Sequence, residues 1–256
     1  SGIAGYTGST LAAWYQARMH RCCDKAFLLL FFSGALLLSI AVAERWLRLG
    51  YGPFLTLFEI LLSNLASLGL LIGLAFWRLP ITRPAAIIVL PILLVLGIWI
   101  LSVPSDASRL PATYETVLLW IHVGLGKIFL AASLLATGLA GVLLLARLKP
   151  FTSLLSTTAE QTLLDTLAWR IMALAFVFHS LMLIAGAVWA QDAWGRYWAW
   201  DSLETSTFIT WLVLGISLHL RVTWRLPHWL GWWLIVLVFA LAFLTFLGLP
   251  FSSLGP

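Results

Sequence analysis

Charged residues are scarce in this chain. They make up 10% of its 256 residues, against 62% hydrophobic ones, where soluble domains carry about a quarter. That deficit excludes an ordinary water-soluble domain. Cysteine is scarcer still. Only Cys22 and Cys23 are present, and adjacent residues rarely close a disulfide, so they read as a reduced cytoplasmic pair. The long apolar runs show no alternation of polar and apolar residues, which excludes a membrane β-barrel. There is no internal repeat and no linker, so residues 1–256 read as one domain. The sequence begins at Ser1 without Met, which leaves room for a missing first segment, and no cleavable signal peptide is evident.

What the chain has instead is apolar length. Several runs reach the ~20 residues that a bilayer-spanning helix needs. A spanning segment must satisfy its own backbone groups, so such runs fold as helices. The expected class is all-α, a polytopic transmembrane bundle with spans at about 26–43, 54–77, 85–103, 116–146, 163–190, 204–222 and 229–248. Pro91 is expected to bend the third. Thr162 to Asp165 and Asp201 to Glu204 read as capping boxes that open the fifth and sixth. Orientation follows from Lys and Arg placement. With residue 25 inside, the inner segments hold Arg18, Arg21, Lys25, Arg78, Arg83, Arg147, Lys149, Arg170, Arg221 and Arg225. The outer segments hold Arg45, Arg48, Arg109 and Arg196. The N-terminus is therefore expected inside, and the net charge of +5 needs no nucleic-acid partner.

The densest aromatic stretch, residues 189–204, then faces outside. It holds Trp189, Trp194, Trp198, Trp200 and Tyr197, with Arg196 and Asp201 among them. One reading is an interfacial belt, because Trp and Tyr collect at headgroup level. The other is a set of flat, polarisable faces for a flat ligand, with Arg196 meeting an anionic group and Asp201 orienting an N–H. Ionisable residues inside spans are costly and point to function. His122 lies near the outer end of the fourth span, His179 in the middle of the fifth and His219 near the inner end of the sixth. Met172 and Met182 share a face with His179, a pattern more often due to packing. His20 and His228 lie in inner loops.

The run Trp194-Gly-Arg-Tyr-Trp-Ala-Trp-Asp-Ser-Leu-Glu-Thr205, followed by Phe208-Ile-Thr-Trp211, resembles the tryptophan-rich signature of the cytochrome c assembly family. That family includes the CcsA/ResC proteins and, more distantly, CcmC. Gly186-Ala-Val-Trp189-Ala fits the same pattern. The resemblance implies a polytopic membrane protein of the bacterial inner membrane that binds haem b and presents it to apocytochrome c on the periplasmic face. His122 matches an outer-face histidine proposed as a haem-iron ligand, and His219 matches the histidine of an inner haem site. Imidazole is the commonest axial ligand of haem iron. Trp194, Trp198, Trp200, Asp201 and Arg196 would surround the macrocycle. His179 matches no family histidine and stands as a further candidate ligand. Arg45, Arg48 and Arg196 are outer candidates for pairing with the propionates. Glu59 matches the family's acidic residue after a Gly-Pro turn and is expected to accept from a tryptophan N–H. No Cys-x-x-Cys-His occurs, so the chain is not itself a c-type cytochrome.

The chain departs from the pattern at Ser202, Leu203 and Ser206, which stand where the family usually has proline, lysine and tryptophan. Ser252 or Ser253 stands where the family has its second outer histidine. The first reading is therefore a haem-delivering assembly component, with a synthase-like role by resemblance alone. The alternative is a haem-bearing or structural subunit of a membrane electron-transfer complex, with other cytochrome subunits as partners. A regulator of haem synthesis on the same scaffold is a third. No paired broken helices mark a transporter.

Overall fold

The computed structural model describes residues 24–52, 55–108, 111–114, 116–149, 157–224 and 226–248, together with Gly2, Phe151 and Leu155. Within them seven α-helices follow one another: α1 Asp24–Leu49, α2 Leu57–Arg78, α3 Ala86–Leu101, α4 Val117–Leu145, α5 Thr158–Trp194, α6 Ser202–Thr223 and α7 His228–Phe243. All seven are long and apolar enough to cross a membrane, α3 with the 3-10 turn Pro80–Ala85 before it and α7 continued to Leu247. The chain is a multi-pass, all-helical membrane protein, as the apolar runs require. Cys22, Cys23, His20, Arg109, Arg225, Ser252 and Ser253 lie outside the described residues.

The helices form two compact units. The first holds α1, α2 and α3 with Leu145–Glu160. Its core is aromatic, with Phe27, Phe31 and Phe76 in mutual contact at 5.5–6.0 Å. Gly73 lets Phe31 and Phe32 approach to 3.1 Å of where a Cβ would stand. Two ion pairs pin its connections. Arg83 donates to Asp24 at 2.6 Å and to the Phe76 carbonyl at 3.1 Å. Arg45 donates twice to Glu59 Oε1, at 3.0 and 2.9 Å, and also to the carbonyls of Ser105 and Asp106. Glu59 Oε2 accepts from the Leu55 and Thr56 amides, closing a capping box with Thr56. Among the described residues Glu59 thus bonds an arginine and the backbone, and no tryptophan. Arg45, buried against it, is spent on that pair.

The second unit holds α4 to Leu144, α5 from Gln161, α6 and α7. Small residues bring its helices close, as is usual in membranes. A Cβ at Gly126 would lie 3.1 Å from Met182 Sδ, and one at Gly231 would lie 3.0 Å from the Trp169 ring. α5 has 37 residues, about 55 Å at the helical rise, well beyond a hydrocarbon core of about 30 Å. It begins at Thr158, where Thr157 Oγ1 accepts from the Glu160 amide at 3.1 Å. Thr162 to Asp165 therefore lie inside the helix and do not cap it. α7 ends in the π-turn Leu244–Gly248. α3 runs through Pro91, whose missing N–H removes one helical bond.

Candidate functional site

The tryptophan stretch is the last turns of α5, a short connection and the cap of α6. Gly195 takes φ 72°, which turns the chain out of α5. Asp201 is the N-cap of α6, its Oδ1 accepting from the Glu204 amide at 2.7 Å. Glu204 reaches back past the cap and accepts from the Ala199 and Trp200 amides, at 2.6 and 2.8 Å. That bond holds Trp200 at φ 60°, a left-handed conformation that a bulky residue rarely adopts.

The aromatic rings divide into two groups. In the first, the His122 ring lies parallel to Trp189, 6.3 Å between centroids and 23° between planes. Trp189 meets Trp194 at 4.9 Å and Tyr114 at 5.3 Å, both edge-on, and its Nε1 donates to the Thr113 carbonyl at 3.0 Å. Burial pushes the Tyr114 phenol above its usual range, which keeps it protonated. In the second group, Trp198 and Trp200 meet each other at 5.7 Å and both meet Phe208 at 6.2 Å. Trp198 Nε1 is buried without a hydrogen-bond partner among the described residues. Arg196 and Tyr197 are exposed beside them.

His122 is held by its surroundings. Its Nδ1 lies 2.9 Å from the Met182 carbonyl. A carbonyl can only accept, so Nδ1 carries the proton and Nε2 keeps its lone pair. A Cβ at Gly186 would stand 2.7 Å from the ring, so only glycine admits the histidine there. Among the described residues nothing lies within 4 Å of where a Gly124 Cβ would stand, on the side of α4 away from His122. An imidazole oriented through one nitrogen, with the other available, is the usual arrangement of a metal-binding histidine.

The other histidines are placed differently. His219 is exposed on α6, with Nε2 3.5 Å from Thr223 Oγ1. His179 is fully buried, stacked on Phe129 at 4.1 Å and flanked by Phe246 at 6.5 Å. Neither of its ring nitrogens has a partner among the described residues. Met172 and Met182 are buried packing residues.

One constellation escaped the sequence reading. Asp165, buried in α5, accepts from Arg221 of α6, from His228 Nδ1 at 3.2 Å and from Trp232 Nε1 at 2.7 Å, the last two on α7. Arg221 also lies over the Trp169 ring at 5.6 Å. This buried acid ties three helices together at the end away from the tryptophan stretch. The only local signal was an acid inside an apolar run, and a capping box explained that away.

A family model described as "Cytochrome C assembly protein" matches residues 26–255. The cytochrome c biogenesis protein CcsA of Prochlorococcus marinus (strain MIT 9301) is 32% identical, in an alignment covering 86% of this chain and 81% of that protein. CcsA of Guillardia theta is 29% identical, covering 85% of this chain and 80% of that protein. Among solved structures, the cytochrome c haem lyase CcmF has a TM-score of 0.70 at 18% identity. The match covers 96% of this chain and 45% of that one, and is a likeness of fold.

Proposed function

Since the chain belongs to the cytochrome c assembly protein family, we propose that it handles haem b in the membrane and presents it to apocytochrome c at the tryptophan stretch. On this reading the stretch faces the periplasmic side of a bacterial inner membrane. The observation that carries the reading is the bond from His122 Nδ1 to the Met182 carbonyl, 2.9 Å, beside Trp189 and Trp194.

The residues present fit haem. Nε2 of His122 is the free lone pair that an iron ligand needs. The tryptophan faces suit a planar apolar macrocycle. The Nε1 of Trp198, without a partner among the described residues, and the exposed Arg196 are donors suited to the propionates. Asp201 and Glu204 fix the backbone that carries these rings. His219 would hold iron at the other end of α6. Haem itself supplies the vinyl groups that join apocytochrome thiols, and the protein supplies position, orientation and exclusion of water.

The test is a pyridine haemochrome assay with an absorbance spectrum on protein purified with its native partners. A b-type spectrum is expected, with less haem after His122→Ala and after His219→Ala. Unchanged haem in both variants would remove the ligand assignments.

A further inference from the structure

The His122 ring rests on one face of α5. Met182, Gly186 and Trp189 follow one another at spacings of four and three, so they line the same side of that helix. Each meets a different part of the imidazole. The Met182 carbonyl accepts from Nδ1 at 2.9 Å. Gly186 takes the edge formed by Nδ1 and Cε1, both 2.7 Å from where its Cβ would stand. Trp189 takes a ring face, 6.3 Å between centroids and 23° from parallel. Together they restrain a torsion that is soft by itself, because the outer side-chain angle of histidine has no sharp staggered minima.

Trp189 is itself fixed from elsewhere. It is buried, and its Nε1 donates to the Thr113 carbonyl at 3.0 Å. That carbonyl belongs to the short turn before α4, in which the Tyr114 amide donates to the Pro111 carbonyl at 3.0 Å. Tyr114 and Trp194 close on the indole edge-on at 5.3 and 4.9 Å.

An indole beside a planar ligand can offer it a face or an edge, and coordination geometry decides which. An imidazole bound through Nε2 keeps the iron in its own ring plane, and a porphyrin stands perpendicular to the iron–nitrogen bond. A macrocycle held by His122 is therefore at right angles to the imidazole. Trp189, 23° from the imidazole plane, is then within 23° of perpendicular to the macrocycle. It can offer an edge and not a face. Trp194 and Tyr114, at 64° and 85° to Trp189, are under no such restriction.

We propose that Trp189 is a positioning residue, which sets the direction of the His122 imidazole about the iron–Nε2 bond and is held to that task by the Thr113 carbonyl. The proposal rests on the haem reading above and deepens it, because it separates the ring that orients the ligand from the rings that face the macrocycle.

The experiment uses protein purified with its native partners and follows the His122-dependent haem, taken as the difference from the His122→Ala chain. Trp189→Phe and Trp189→Leu are compared by pyridine haemochrome and by electron paramagnetic resonance of the ferric haem. The direction of the imidazole plane sets the in-plane anisotropy of the iron, so the g values report it. Trp189→Leu is expected to keep the haem, since the Met182 bond survives, and to shift and broaden its g values. Trp189→Phe, which keeps a ring but lacks the indole N–H, is expected to fall between Trp189→Leu and the unaltered chain. Unaltered g values in Trp189→Leu would overturn the proposal. So would loss of the haem in both variants, since Trp189 would then hold the macrocycle or the fold and not the direction of the imidazole. Haem at the same level with and without His122→Ala would defeat the haem reading itself, and the proposal with it.

Discussion

At the residue scale, His179 has an unmet requirement. A neutral imidazole carries one donor and one acceptor. Both are buried here without partners among the described residues, at a cost of roughly 1–3 kcal/mol each. The ring packing itself is favourable, with Phe129 stacked at 4.1 Å. Replacing His179 by phenylalanine keeps the ring and removes both unmet groups. The thermal midpoint of the purified protein in detergent is expected to rise by several degrees, with helical circular dichroism unchanged. A lower midpoint would mean that the nitrogens do bonding work in the folded protein. By residue type and apolar setting alone His122 and His179 are alike, and only the resemblance set His122 apart in the sequence. What separates them, the Met182 carbonyl bonded by one and the phenyl rings packed on the other, comes from neighbours on different helices. Asp165 was unreadable for the same reason, because its partners lie 56 to 67 residues further along the chain.

At the element scale, the start of α6 is where local rules and function meet. Asp201 to Glu204 reads as a capping box, and the Asp201 half forms as the motif requires. The Glu204 half does not return to the cap residue. It takes the amides of Ala199 and Trp200 instead, so one carboxylate sets the backbone beneath Trp198 and Trp200. Left-handed backbone at a non-glycine residue costs roughly 1–2 kcal/mol, and Glu204 is what offsets it at Trp200. Glu204→Ala is expected to release the loop. Tryptophan fluorescence should shift to the red, and haem associated with the stretch should fall, while total helicity stays constant. Glu204→Gln, whose amide oxygen still accepts, should recover part of both signals. An unchanged emission spectrum in Glu204→Ala would show that the rings are fixed by their own packing. The existence of seven helices was legible, because apolar length alone decides it in a bilayer. Their ends were less so. α1 runs on through Glu44 and Arg45 to Leu49, because Arg45 finds Glu59 to neutralise it. α5 starts at Thr158 because Thr157, not Thr162, caps it.

At the scale of the whole molecule, function depends on which side of the membrane the tryptophan stretch faces. The seven spans among the described residues make the problem one of parity. If the start of α1 is inside, four crossings leave the α4–α5 connection inside, and a fifth carries the α5–α6 connection outside. The positive charges favour that assignment, ten on the inner segments against four on the outer ones. Arg45 weakens the case for the outer set further, since its charge is paired with Glu59. The prediction uses single cysteines in a chain whose Cys22 and Cys23 are changed to serine. Ser202→Cys lies at the exposed start of α6, and Leu148→Cys lies at an exposed position just after α4. In right-side-out membrane vesicles, a membrane-impermeant maleimide is expected to label Ser202→Cys directly and Leu148→Cys only after permeabilisation. The reverse pattern would place the tryptophan stretch on the cytoplasmic face. His122 and its aromatic neighbours would then face the cytoplasm, and presentation of haem to a periplasmic apocytochrome would have to be abandoned.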